Sequence, residues 1–415
     1  MQRTKPHKCL FCGALLHHIF ADLGSAPPSN AFLSAEQCEE PEVFHPLRVY
    51  ACEKCLLVQS PFYRRPQDIF THDYAYHSSW SPSWVRHARE YVENVCERFG
   101  LNEKSFIVEL GSNDGYLLQH AVARGVPCLG IDPSSSAATI AMLRGVTTLT
   151  DFFTARLARQ LAHSGKRADL ICGINVFAHV PAINDFIRGM RLLLKPRGVL
   201  TMEFPHLLRL VEDVQFDTIY HEHYFYYSLL AVRTMLAAHR LRVFDVERLS
   251  THGGSLRVYA CRQEASHVES PAIAQLLQEE ERVGMHSIDY YTDFQHRILK
   301  IRSAILSFLI DVQAKGKSVI GYGAAAKGNT LINYFGIRRD LLPLVVDVSP
   351  QKQGKFLPGS RIPVQTPDRI REVRPDYLFV LAWNLIEEIM EQHRYIGAWG
   401  GKFVTAIPEL KVMTA

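Results

Sequence analysis

No apolar run in this 415-residue chain approaches the ~18 residues that span a bilayer. The first ten residues are basic and polar and lack the apolar core of a secretory signal. The expectation is a cytoplasmic protein with no membrane partner. Charge is sparse in pattern too: 46 Lys and Arg stand against 42 Asp and Glu, a net +4 with no long run of one sign. Nucleic-acid binders cluster their basic residues, so no nucleic-acid partner is expected. There is no low-complexity tract, and no internal repeat beyond a rough doubling of an α/β pattern. Neither an H-E-x-x-H zinc motif nor a G-x-S-x-G nucleophile elbow occurs. HGGSLR (252–257) is therefore read as a tight turn at Gly253 and Gly254, not as an esterase oxyanion loop.

What is present fits a globular protein of two or three domains: 47% hydrophobic and 21% charged residues. Three blocks are expected: residues 1–90, 91–265 and 266–415. The first block carries two C-x-x-C pairs, Cys9 with Cys12 and Cys52 with Cys55. Each pair suits a tight turn that aims two sulfurs at one ion, and four thiolates close a tetrahedral zinc shell with no open position. The zinc is accordingly expected to be structural.

From Phe106 on, apolar strands alternate with helical segments: FIVEL, CLGID, DLICGIN, GVLTMEF. That alternation predicts a parallel sheet with crossover helices. In FIVELGSNDGYLL, Glu109, Gly111, Asn113 and Gly115 form a turn between strand and helix. Its E-x-G-x-N-x-G pattern resembles the donor loop of class I methyltransferases. A carboxylate there is tolerable beside S-adenosylmethionine and repulsive beside a pyrophosphate. Asp132, ending the next strand, is placed to accept from ribose hydroxyls. Asp151 and Phe152 are candidates to flank the adenine, with core packing as the alternative for the phenylalanines. Asn175 to His179 follow the strand where the methionine end of the donor is expected.

Residues 266–314 read as a helical connector. A second α/β unit then opens on SVIGYGAAAKGN, where Gly321, Gly323 and Ala326 match G-x-G-x-x-A and Asp347 ends the next strand. Taken alone, this pattern suits a nicotinamide-dependent oxidoreductase. The densest cluster of titratable groups is IYHEHYFYYS (219–228), which points to proton transfer.

With these segments in hand, the chain resembles the C-methyltransferases that act on nucleotide-linked 4-keto-deoxysugars. The resemblance rests on the cysteine pairs, PPSNAFL, YAYHSSWSPSW, ELGSNDGYLL, NVFAHV, IYHEHYFYYS, HGGSLRVY and GYGAAAKGN, and covers nearly the whole length. It departs at Asp132, where glutamate is commoner, and at His77 and Trp80. It implies an α/β protein with a class I methyltransferase Rossmann-like core, an N-terminal zinc-binding lobe and a C-terminal Rossmann-like lobe. That last lobe would hold a nucleotide-diphosphate keto-deoxysugar. The implied catalytic residues are Tyr220, Glu222 and His223, with His179 and Tyr76 nearby. Gly323, Lys327, Asn329, Lys352 and Arg361 are implied for the nucleotide sugar. His223 is expected to remove the C3 proton, Glu222 to orient it, and Tyr220 or His179 to stabilise the enolate. Rearrangement or epimerisation of the sugar through the same enolate, without methyl transfer, is the alternative.

Overall fold

A computed structural model describes residues 7–61 and 77–415 of the chain. It divides into two compact units that do not follow linear order. The first comprises Met1–Leu16, Cys52–His206 and Tyr224–Ser287, and the second His17–Ala51, Leu207–His223 and Ile288–Ala415.

Unit 1 is built on helix α1, Pro82–Phe99, and a seven-stranded sheet. The start of α1 is set by Ser81, whose Oγ accepts from the Trp84 amide, and by Pro82 in the first turn. It ends at Gly100, which takes a left-handed φ of 63° and donates its N–H to the Cys96 carbonyl. Its apolar stripe, Ala88, Tyr91, Val92, Val95 and Cys96, repeats at three- and four-residue steps and faces the sheet. The strands are β1 Ile107–Leu110, β2 Cys128–Ile131, β3 Thr148–Leu149, β4 Ala168–Ile174, β5 Leu194–Pro205, β6 Leu241–Leu249 and β7 Ser255–Arg262. Their order is β6-β7-β5-β4-β1-β2-β3. The run from β3 to β5 is parallel, and β7 lies antiparallel between β5 and β6. This is the parallel sheet with crossover helices expected from the alternating pattern, in the Rossmann-like form that the resemblance implied. Strand order reverses between β1 and β4, and the glycine turn after β1 opens at that reversal. A short antiparallel pair, Val58–Gln59 with Phe225–Tyr226, completes this unit beside the cysteine block.

Unit 2 contains a smaller sheet. Its strands are β8 Val319–Tyr322, β9 Val345–Val346, β10 Val364–Gln365, β11 Tyr377–Val380, β12 Lys402–Thr405 and β13 Lys411–Thr414, in the order β10-β9-β8-β11-β12-β13. All pairs are parallel except β12 with β13. Helix α2, Phe294–Ala314, buries Phe294, Ile298, Ile301, Ile305, Leu309 and Val312, again at helical spacing. Phe294 stacks on Phe20 of the strand His18–Ala26, with ring centroids 4.5 Å apart. Helix α3, Ala326–Phe335, follows the second glycine turn. The helix pair expected over 266–314 is divided: Pro271–Arg282 packs within unit 1 and α2 within unit 2. Among the described residues no helix is long and apolar enough to cross a membrane.

Candidate functional site

The two cysteine pairs, 40 residues apart, meet in unit 1. Cys9 Sγ lies 3.7 Å from Cys55 Sγ, and Cys12 Sγ lies 3.5 Å from Cys52 Sγ. All four sulfurs fall within 4.8 Å of one another. Zinc–sulfur bonds of ~2.3 Å in a tetrahedron put sulfurs roughly 3.8 Å apart, so the set fits one zinc ion. Each pair wraps a turn: Gly13 N–H donates to Cys9 O, and Leu56 N–H donates to Cys52 O. Positive φ values at Gly13 and Leu56 (76° and 56°) let the two turns curl back on their sulfurs. Gln59 supports the cluster and carries no motif signal. Fully buried, it donates from Nε2 to Cys9 Sγ at 3.1 Å and accepts the Leu10 amide at 2.8 Å.

The donor loop lies at the C-terminal end of β1. Gly111 and Gly115 both have positive φ, and a Cβ on Gly111 would sit 2.8 Å from Val176 Cγ2, so only glycine fits. Asp132 holds the loop: Oδ2 accepts from Asn113 N–H and Oδ1 from Ser134 N–H, both at 2.8 Å. Asn113 Oδ1 in turn accepts the Ser78 amide at 2.9 Å. The side chain of Asp114 takes Ser79 and Arg144 as partners. Ser78, Ser79 and Arg144 were not legible as site residues, although the serines lie in HSSWSPSW.

Glu109 is the residue that asks for a ligand. It is 1% exposed, neither carboxyl oxygen has a hydrogen-bond partner, and burial pushes its pKa well above the ordinary range. Asn175 Oδ1 and Ser112 Oγ are likewise buried without partners. Orphaned polar atoms are costly, and together with the glycine cradle they fit a polar, cationic cofactor such as S-adenosylmethionine. Asn175 has a φ of 56° and donates its N–H to Glu203 O at 2.8 Å. His179 ends the short turn Phe177–His179 just beyond it. Asp151 is exposed and accepts the Phe152 amide, Phe152 is half-buried, and Phe153 is core, edge-on to Phe186 at 5.3 Å.

Replacing Asp132 with Asn sets an amide N–H₂ against one of its two backbone donors. A hydrogen bond to a charged group is worth about 1.5–3 kcal/mol, so donor affinity is expected to fall roughly 10- to 100-fold. Calorimetric titration of the variant with S-adenosylmethionine checks this.

A buried ionic cluster supports the same end of unit 1. Glu203, at 1% exposure, meets His87 Nε2 at 3.0 Å, Arg257 Nη2 at 2.9 Å and the Thr251 hydroxyl at 3.2 Å. Those contacts hold its carboxyl below the usual range against the opposing effect of burial. Thr251 opens the HGG turn, so Arg257 of HGGSLR is a structural anchor for that turn. Sequence reasoning had no signal for Glu203 or His87.

Of the titratable cluster at 219–228, residues 219–223 belong to unit 2 and the remainder to unit 1. His223 Nδ1 lies 2.9 Å from Thr218 O. A carbonyl only accepts, so Nδ1 carries the hydrogen, and in the neutral ring Nε2 is the nitrogen with the lone pair. The Tyr220 ring lies 4.0 Å from the His223 ring. Glu222, at 4% exposure, accepts at Oε1 from Asn30 Nδ2 at 2.9 Å, so the PPSNAFL segment supplies a neighbour that its motif did not reveal. His221 turns elsewhere, its Nε2 lying 3.2 Å from Pro46 O and 3.3 Å from His45 O. Tyr76 lies outside the described residues.

The second glycine turn repeats the device of the first. Asp347 accepts from Ala324 N–H at 2.7 Å and from Ser349 N–H at 2.8 Å, as Asp132 does from Asn113 and Ser134. Lys352 Nζ lies 3.4 Å from Asp347 Oδ2. Gly323 has a φ of 90° and packs on Ala382. Lys327 donates to Asn384 Oδ1 at 2.7 Å. Asn329 is 1% exposed and bonded to Asn333, and Arg361 donates to Glu40 O.

Comparison with known proteins gives three adjoining family matches: "Putative zinc binding domain" over 9–70, "Methyltransferase domain" over 84–245 and "C-methyltransferase C-terminal domain" over 250–408. The chain is 36% identical over 411 residues to C-methyltransferase NovU of Streptomyces niveus, which covers 98% of this chain and 97% of that protein. It is 29% identical over 123 residues, 27% of this chain and 48% of the relative, to a ubiquinone biosynthesis O-methyltransferase of Agrobacterium fabrum. Among solved structures, magnesium protoporphyrin IX methyltransferase of Synechocystis PCC 6803 with bound SAM shares 16% identity at a TM-score of 0.33. That match covers 43% of this chain and 81% of that one, too slight a likeness to guide the reading.

Proposed function

We propose, from the premise that this chain belongs to the C-methyltransferase family and is an S-adenosylmethionine-dependent enzyme with a structural zinc site, that its acceptor is a nucleotide-linked 4-keto-6-deoxysugar. Two carbons flank a C4 ketone, C3 and C5, and C3 is the one we assign as methylated. Methylation of an unactivated carbon needs a carbanion, and the acidic hydrogen next to a ketone is the accessible one. S-adenosylmethionine, held by the residues around Glu109, Gly111, Asn113, Gly115, Asp132 and Asn175, supplies an electrophilic methyl when bound.

The observation that carries the reading is the bond between His223 Nδ1 and Thr218 O. With Nδ1 as donor, Nε2 is the nitrogen that takes a proton when the ring is neutral, and imidazole as a side-chain type, with an ordinary pKa of about 6.5, suits a base near neutrality. His223 Nε2 takes the C3 proton. The electron pair left on the substrate delocalises onto the ketone oxygen, and Tyr220 or His179 donates a hydrogen bond to it. Glu222, tied to Asn30, is assigned the role of orienting His223. Reprotonation of the oxygen is not required, because the carbon collapses back to a ketone as its new bond forms. Lys352 and Arg361 are the cations we assign to the diphosphate.

Purified protein with S-adenosylmethionine and a thymidine-diphospho-4-keto-6-deoxyglucose-type sugar is expected to yield a product one methyl group heavier by mass spectrometry. Hydrogen exchange beside the ketone without any gain in mass would overturn methylation in favour of rearrangement or epimerisation.

A further inference from the structure

In parallel α/β sheets, ligands gather beyond the strand ends where strand order reverses. In unit 2 that point lies between β8 and β11, where the turn after β8 faces the segment after β11. The protein's own side chains fill it. Lys327 Nζ donates to Asn384 Oδ1 at 2.7 Å and lies 4.8 Å over the Trp383 ring. Trp383 Nε1 donates to Asp217 Oδ2 at 2.7 Å. Asp217 is fully buried and its Oδ1 has no partner. Burial moves both charged groups toward neutrality, Asp217 up and Lys327 down. An acid and an amine kept in so unfavourable a place need a reason beyond packing.

Their position supplies one. Asp217 lies in the short turn Phe216–Thr218, directly before the segment 219–223. From α3, Thr330 Oγ1 donates to Ile219 O at 3.1 Å. Thr218, next to Asp217, offers the carbonyl that receives His223 Nδ1–H. Lysine, indole, carboxylate, carbonyl and imidazole thus form one connected series within unit 2.

We propose that Asp217, Trp383 and Lys327 are positioning residues for the base: the crevice that would take a dinucleotide pyrophosphate is used to hold the acid/base segment. The G-x-G-x-x-A turn serves as a scaffold for that segment, and Lys327 is committed to the scaffold instead of to substrate phosphate. This inference rests on the assignment of His223 as the base.

Trp383→Phe tests it, because it keeps an aromatic face for Lys327 while it removes the indole N–H together with the pyrrole ring. The expected result is a fall in kcat of about tenfold, with KM for the sugar nucleotide and affinity for S-adenosylmethionine within twofold of wild type. Asp217→Asn, which keeps an acceptor oxygen for the indole, should retain most of the kcat that Asp217→Ala loses. Nitrogen-labelled histidine NMR on Asp217→Ala, or on Trp383→Phe should that variant fold poorly, reads the imidazole tautomer directly. Loss of the Nδ1–H form there supports the role, and an unchanged tautomer with wild-type turnover overturns it. A raised KM with unchanged kcat in Trp383→Phe also overturns it, since the crevice would then be a substrate site. Failure of the underlying reading looks different: wild-type enzyme would then show neither methylation nor hydrogen exchange on the keto-sugar.

Discussion

Changing His223 to Asn lowers methyl transfer by about 10²–10⁴-fold, the range that a positioned acid or base contributes. The replacement is conservative for the fold. An asparagine amide N–H can still reach Thr218 O, so the local turn, in which His223 N–H donates to Tyr220 O, keeps its anchors. What is lost is the lone pair on Nε2. Affinity for S-adenosylmethionine is therefore expected to stay at the wild-type level, because the residues we assign to the donor lie at the ends of β1, β2 and β4 of unit 1. Initial rates by product mass, alongside donor titration, separate the two quantities. A variant with normal turnover would remove His223 from the chemistry.

The second large effect concerns stability. Replacing Cys52 with Ser takes one thiolate from a closed set of four whose sulfurs lie within 4.8 Å. The cysteine turns are flanked by little regular structure: among the described residues, a bridge between Lys8 and Leu15, the strand His45–Ala51 that runs up to Cys52, and Val58–Gln59 paired with Phe225–Tyr226. Structural zinc contributes an apparent ~10–16 kcal/mol to small zinc domains, comparable with the whole stability of many proteins. The variant is expected to lose stoichiometric zinc and to melt at clearly lower temperature, with early proteolytic cleavage near the cysteine pairs. Metal analysis combined with a circular dichroism melt checks this. Full zinc content with an unchanged melt would show that the remaining three cysteines suffice.

The parts of the site that were legible in sequence are those whose chemistry is local. A C-x-x-C pair announces its own turn, and Glu109 through Gly115 sit within one strand-to-helix connection, with Asp132 ending the next strand. The tautomer of His223 was not legible, because it depends on which backbone carbonyl the ring meets. Asn30 beside Glu222, and Gln59 beside Cys9, come from segments remote in sequence whose motifs carry no sign of the contact. Glu203 with His87 and Arg257 is hidden for the same reason: each reads as an ordinary charge until the sheet brings them together. The linear block reading also gives no hint that residues 207–223 associate with 288–415 in one compact unit. That association puts Trp383 against Asp217 and gives the second glycine turn its structural occupation.

The most direct test of the account is hydrogen exchange in heavy water, on the keto-sugar nucleotide without S-adenosylmethionine. The account predicts that wild-type enzyme exchanges the hydrogen on C3 while the His223→Asn protein does not. Exchange by that variant at the wild-type rate would contradict it and move the base to another group, with Glu222 the first to examine.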